Sequence, residues 1–101
     1  MYKLRYLSQA RDDLISIKRY LTKESGSNNV ALQYTEKLRN QCKKLSQLPG
    51  KIGQARPELY KEVRSFPYGN YIIFFRYNQD YLDIITIIER HRDVYNIFDK
   101  F

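Results

Sequence analysis

Hydrophobic and polar positions alternate over the first five residues of the segment 2–7, Tyr-Lys-Leu-Arg-Tyr-Leu, which is the period of a short strand with one buried face. The period then changes. Ala10, Leu14, Ile17 and Leu21 recur at spacings of four, three and four and lay one apolar stripe along a helix. Ser8 is its expected cap, and Asp12 and Asp13 are expected in its first turn, near the positive end of the helix dipole. Ser25-Gly26 ends it, and Ser27 or Asn28 opens a second helix with the stripe Ala31, Tyr34, Leu38, Cys42, Leu45 and Leu48. Pro49-Gly50 stops that run, and residues 50–58, with Gly50, Gly53 and Pro57, read as a surface loop.

Beyond Tyr60 the texture is that of strands. Tyr60 to Phe66, Tyr71 to Tyr77 and Tyr81 to Ile88 are rich in β-branched and aromatic residues, and Pro67 to Asn70 and Asn78 to Asp80 between them carry turn chemistry. Both parities of Tyr71–Phe75 and Ile84–Ile88 are apolar, so these strands are expected to be covered on both faces. Asp93 to Phe98 adds a closing helical turn. The order is β-α-α-β-β-β, an α+β fold in which an antiparallel helical hairpin covers one face of a small, largely antiparallel sheet. Two helices separate the first strand from the rest, so it is expected to pair in parallel with a later one.

Composition narrows the function classes. A chain of 101 residues has room for one domain, 1–101, and 43% apolar with 29% charged residues is ordinary globular usage. The start, Met1 to Arg5, has no continuous apolar stretch of the kind a secretory signal needs, and no segment resembles a membrane span, so the expected location is the cytoplasm. One cysteine, Cys42, and one histidine, His91, cannot assemble a tetrahedral zinc site of the usual kind, and no cofactor motif or Gly-rich phosphate loop is present. Neither metal, cofactor nor small-molecule substrate is expected. The net charge of +7 favours a polyanion or an acidic protein as partner, and most of it lies in residues 1–49, at +6 against +1 for residues 50–101.

Candidate chemistry gathers in the C-terminal half. Arg64 lies on the first strand of the meander and Arg76 on the second, while Arg90, His91 and Arg92 follow the third. If adjacent strands bring them together, their planar guanidinium forks suit phosphate or carboxylate. The competing reading pairs each arginine with a nearby acid, among them Glu58, Glu62, Asp83, Glu89 and Asp93. His91 is the first candidate for proton transfer near neutral pH, with a structural hydrogen bond as the alternative. Tyr95 is a stacking platform, a proton donor or simply packing, and Cys42 fits the core stripe of the second helix.

The stretches Tyr6 to Leu14, Leu48-Pro49, Arg64 to Tyr77 and Ile87 to Asp93, taken in order and spacing, resemble the running signature of the RelE/ParE toxin superfamily over nearly the whole chain. The resemblance implies the same α+β fold and a role in a type II toxin–antitoxin, or plasmid-stabilisation, module. RelE-like members cleave messenger RNA on the ribosome; ParE-like members inhibit DNA gyrase without a known catalytic step. The RelE-like pattern has lysines two and four positions before the arginine of the first meander strand and an arginine after the aromatic that opens the next strand. Here those positions hold Glu62, Tyr60 and Ile72, which removes much of the cationic field that phosphate chemistry needs. The chain therefore resembles the ParE-like branch more closely, and a gyrase inhibitor rather than an enzyme is expected. The target-binding set is Lys61, Arg64, Arg76, Arg90, His91 and Arg92. Under the alternative, a ribosome-dependent mRNA endonuclease, the catalytic set is Arg64, His91, Arg92 and Tyr95. A further alternative is a non-toxic member acting only in operon regulation. In each case the resemblance implies a cognate antitoxin protein as partner.

Overall fold

A computed structural model of the chain describes residues 1–99, so the last two residues of the expected domain lie outside it. The elements run β1 (Lys3–Tyr6), α1 (Ser8–Ser25), α2 (Asn28–Gln47), β2 (Gln54–Ala55), β3 (Arg64–Tyr68), β4 (Tyr71–Asn78), β5 (Tyr81–Glu89) and α3 (Val94–Phe98). The strands form one sheet in the order β1-β5-β4-β3-β2. All neighbours are antiparallel except β1 and β5, which pair in parallel from Lys3 opposite Tyr81 to Tyr6 opposite Ile84. The expected α+β architecture and the parallel first strand are both present.

The helical hairpin packs on one face. Ala10, Leu14 and Ile17 of α1 and Leu38, Cys42 and Leu45 of α2 meet Ile73, Phe75, Leu82, Ile84 and Ile87 of the sheet. Cys42 is a core side chain, and burial pushes its thiol up to about 11, which leaves it inert near neutral pH. On the opposite face, hereafter the far face, α3 and the segment before β3 cover a second cluster of Val63, Phe74, Ile85, Ile88 and Phe98. A β-bulge makes both clusters possible: Phe74 faces Thr86 and Phe75 faces Ile84, so Ile85 is the extra residue. It shifts the alternation by one, sending Ile84 and Ile87 to the helices and Ile85 and Ile88 to the far face.

Local expectations need several corrections. Ser8 is already helical, Leu7 is the N-cap without a side-chain bond, and the first turn of α1 holds no acid, so Asp12 and Asp13 sit one turn further in. Ser27 does cap α2, accepting from Val30 N–H. Leu48 is exposed at 44% rather than part of the α2 stripe, because the helix ends at Gln47 before reaching it. The loop expected at 50–58 contains β2, whose two residues pair with Arg64 and Ser65. Tyr60 to Glu62 form a turn, not strand, with Glu62 at φ 64°, and β3 runs on through Pro67 to Tyr68. Proline is tolerated there because its nitrogen faces the β2 side, where β2 pairs only with Arg64 and Ser65 and leaves no ladder bond for Pro67 to break.

Candidate functional site

β5 is longer than its parallel partner. β1 leaves the sheet after Tyr6, the last contact being Leu7 N–H to Ile84 O at 2.9 Å, so the second half of β5 has no strand on that side. Its peptides alternate in direction: Arg90 N–H donates to Asn70 O toward β4 at 2.8 Å, whereas Ile87 N–H turns outward. Asp13 of α1 receives that outward donor at 2.9 Å and also accepts from the Thr86 hydroxyl. Gln9 holds the other carboxylate oxygen at 3.0 Å. By the same alternation the Glu89 peptide also faces outward.

This open edge is the floor of a groove of about 920 Å³. α1 forms one wall with Ile17, Tyr20 and Leu21, and Tyr34, Tyr71 and Ile97 complete the apolar lining. The Tyr34 and Tyr71 rings meet edge to face with centroids 5.9 Å apart, and burial raises the Tyr71 hydroxyl above its ordinary pKa. Asn70, Glu89, His91 and Arg92 stand at the mouth. The groove thus combines outward-facing backbone groups, apolar walls and a charged rim, the parts needed to hold an extended peptide.

The cationic residues named from sequence are not one cluster. Arg90, His91 and Arg92 are exposed in the turn between β5 and α3, with Tyr95 exposed on α3 just beyond. The His91 N–H donates to Glu89 Oε1 at 3.3 Å, and among the described residues the imidazole has no partner. Arg76 lies at the other end of the sheet, opposite Asp83, because β4 runs antiparallel to β5 and its C-terminal end meets the beginning of β5. Six steps along the strand lead from Asp83 to Glu89, roughly 20 Å at the usual rise. Arg64 pairs with Phe75 and shares its face, so it points away from the side that Arg76 occupies. It is also committed: its Nε and Nη2 donate to the carbonyls of Ile52 and Gly53 at 2.8 and 2.9 Å and fasten the 50–53 loop to β3. Lys61 is exposed in the turn before β3. Short turns made these strands neighbours; they did not put the arginines at the same end or on the same face.

Two acids organise these surfaces: Asp83, one of the acids that the competing reading offers as arginine partners, and Asp13, expected in the first turn of α1 but serving the sheet edge instead. Asp13 caps the open edge rather than the helix. Asp83 is 1% exposed and accepts from Arg5 Nε at 2.6 Å, Arg5 Nη2 at 3.1 Å and Asn78 Nδ2 at 3.4 Å. Burial, the largest single influence, opposes its ionisation. The hydrogen bonds from Arg5 and Asn78 and the charges of Arg5 and Arg76 together outweigh it and hold the carboxyl below its ordinary range. A lone carboxylate inside the apolar run Leu82 to Ile88 was the available signal for such a pairing. Among the described residues no three His, Cys, Asp or Glu side chains form a metal-binding group, and no helix is long and apolar enough to cross a membrane.

Two solved structures share this architecture. The chromosomal ParDE toxin–antitoxin system from P. aeruginosa superposes with a TM-score of 0.74 at 24% identity, covering 88% of this chain and 96% of that one. The toxin–antitoxin complex RelBE2 from Mycobacterium tuberculosis gives 0.55 at 20% identity, covering 88% and 98%. At these identities the likeness is one of fold. No curated protein matches the sequence significantly. The family model described as ParE toxin of type II toxin-antitoxin system, parDE, matches residues 4–94, which take in both long helices and, apart from Lys3, every strand. On that match, the chain belongs to the ParE toxin family of type II toxin–antitoxin systems.

Proposed function

We propose that the protein is a cytoplasmic toxin that inhibits DNA gyrase by binding it, and that a cognate antitoxin encoded in the same plasmid-stabilisation module holds it in check. The observation that carries the choice of a binding mechanism is the chemistry of three positions. Tyr60 and Glu62 lie in the exposed turn before β3, and Ile72 packs into the far-face core. A ribonuclease of this superfamily is expected to carry cations there, so the field needed around a scissile phosphate is missing. The groove along β5 supports a peptide-like partner. An antitoxin segment laid beside Thr86 to Glu89 gains backbone hydrogen bonds from the Glu89 peptide, buries apolar side chains against Ile17, Tyr20 and Tyr71, and meets Arg92 with an acidic residue.

One observation favours the second reading, a ribosome-dependent mRNA endonuclease: Arg90, His91, Arg92 and Tyr95 do gather at one end of the molecule. The two readings separate in paired assays with purified protein. Gyrase inhibition predicts loss of DNA supercoiling with transcripts left intact, and an excess of protein that leaves supercoiling unaffected rejects it. The endonuclease predicts codon-linked cuts on translating ribosomes that His91→Ala or Arg92→Ala weakens.

A further inference from the structure

The far face of the sheet is divided. One half is apolar and lies beneath α3 and Leu59; the other is polar and uncovered. Across that second half the register places Arg5 of β1 opposite Asp83 of β5, and Asp83 opposite Arg76 of β4. Val63 follows next in line, since Arg64 faces Phe75, and Arg56 N–H donates to Val63 O at 2.8 Å. Arg56 therefore continues the row, and its guanidinium carbon lies 5.9 Å from the centre of the Phe74 ring on the same face. Three arginines thus stand on alternate strand lines of one side of the sheet, spread over roughly 20 Å at ordinary strand spacing. Lys3, two residues before Arg5, adds a fourth cation on that side.

The acids present do not neutralise the row. Asp83 is shared between two arginines, and Glu58 answers only Arg56, at 2.6 Å. Arg76 is the least satisfied: its Nε is buried 3.9 Å from Asp83 Oδ2, too far for a hydrogen bond, and has no other partner among the described residues. The rest of its side chain is 36% exposed. Arg5, 42% exposed, is held in place by Asp83 below and by the Tyr81 ring, whose centre lies 3.9 Å from its guanidinium carbon. Arg5 and Arg56 are thus held by an acid each, while the Arg76 fork has no hydrogen-bonded anion among the described residues, and four cations share two carboxylates.

We propose that this half-face is a nucleic-acid surface, with Lys3, Arg5 and Arg76 receiving backbone phosphates, while Arg56, paired with Glu58 and 20% exposed, adds charge at its border. An acidic protein segment is the other anion to weigh. Protein interfaces draw their affinity from apolar anchors in pockets. Apart from Val63, which is buried in the neighbouring apolar cluster, the residues on this half, Lys3, Arg5, Arg76, Asn78 and Asp83, are polar, and Tyr81 is capped by Arg5. Binding to a polyanion needs no such anchor, because counterion release supplies the free energy. The surface lies at the opposite end of β5 from the groove mouth, so it is distinct from the peptide site and independent of the toxin's target.

Fluorescence anisotropy with a labelled 20-bp DNA duplex of arbitrary sequence tests the assignment, at 50 and 200 mM salt. The double variant Lys3→Ala/Arg76→Ala is expected to bind about tenfold more weakly at 50 mM salt, with a log–log salt slope shallower by about 1.8 for two lost phosphate contacts. Arg90→Ala/Arg92→Ala removes the same charge from the far end and is expected to change affinity less than about twofold, since exposed charges beyond a Debye length are screened. Lys3→Glu alone leaves the Asp83 network untouched and keeps the test valid if the double variant misfolds; it is expected to weaken binding about fivefold. Equal losses in the two double variants, no loss in Lys3→Glu, or no duplex binding by the unaltered chain at 50 mM salt overturns the proposal. Competition by polyglutamate as effective as that by unlabelled duplex of equal charge overturns it in favour of an acidic protein.

Discussion

Replacing Asp13 with alanine removes the acceptor of two donors at once, the Ile87 N–H and the Thr86 hydroxyl. Hydrogen bonds to a charged group are worth about 1.5–3 kcal/mol each, but the floor of an open groove admits water to the freed donors, which returns part of that. The expected loss for Asp13→Ala is therefore about 2–3 kcal/mol rather than the sum of two full bonds. For a domain of this size that lowers the melting temperature by roughly 10–20 °C. Asp13→Asn keeps one carbonyl acceptor and is expected to fall between, near 1 kcal/mol. The neighbouring Asp12 is exposed and has almost the same place in the helix dipole without the sheet contacts. Urea unfolding followed by circular dichroism measures all three. If Asp12→Ala costs as much as Asp13→Ala, the helix dipole is responsible and the strand-edge account is wrong.

Asp83→Ala strips the shared partner from Arg5 and Arg76; both are partly hydrated already, so the expected destabilisation is about 2 kcal/mol, below the value for a fully buried pair, and denaturant melts will show it. Because the folded state holds Asp83 below its ordinary range, the native protein binds fewer protons than the unfolded chain as the pH approaches that range. The Asp83 contribution is then complete above about pH 5 and is lost as the pH falls through 4 and below, and Asp83→Asn should flatten that acid limb of a stability–pH profile. A Cβ at Gly53 lands 2.6 Å from Ser65 O and 2.9 Å from Phe75 Cζ, at φ 82°, so Gly53→Ala is expected to cost about 2–3 kcal/mol in the same melts, with an unaffected Tm refuting it. Arg64→Ala releases the 50–53 loop from β3, and faster proteolytic cleavage in that loop is the expected result, with an unchanged fragment pattern the contrary one.

Periodicity made the elements legible because each long element buries one stripe or both faces. α1, α2, β4 and β5 follow the pattern of Ala10, Leu14 and Ile17 or the runs Tyr71–Phe75 and Ile84–Ile88. β2 escaped because two exposed residues between glycine and proline carry no periodic signal. Its pairing depends on β3, a tertiary fact. The bulge at Ile85 was equally hidden: an unbroken apolar run reads the same with or without a shift of register. The expected meeting of the arginines at one end or face did not occur, for a different reason. Adjacency of strands follows from short turns, but which end and which face a residue occupies depends on register and parity. One step separates Phe75 from Arg76 and sends the partner of Arg64 to the helices and Arg76 to solvent.

Strand edges invite unwanted pairing, and each edge of this sheet is limited in its own way. β2 offers two residues, and β1 offers four, one of them the exposed Lys3. The second half of β5 is the dangerous stretch, since it lies inside the sheet order yet is unpaired on its β1 side, apolar and flanked by tyrosines. Asp13 occupies its first outward N–H, so an arriving strand must displace a carboxylate as well as add bonds. That arrangement leaves the groove open to a partner whose side chains match Arg92 and the apolar walls while penalising a second copy of the same edge. Asp13→Ala lifts the penalty. At a temperature where both proteins are fully folded, sedimentation velocity is expected to show concentration-dependent dimers for the variant and monomers for the unaltered chain. Identical sedimentation would mean that the edge is closed by the walls of the groove and not by the carboxylate.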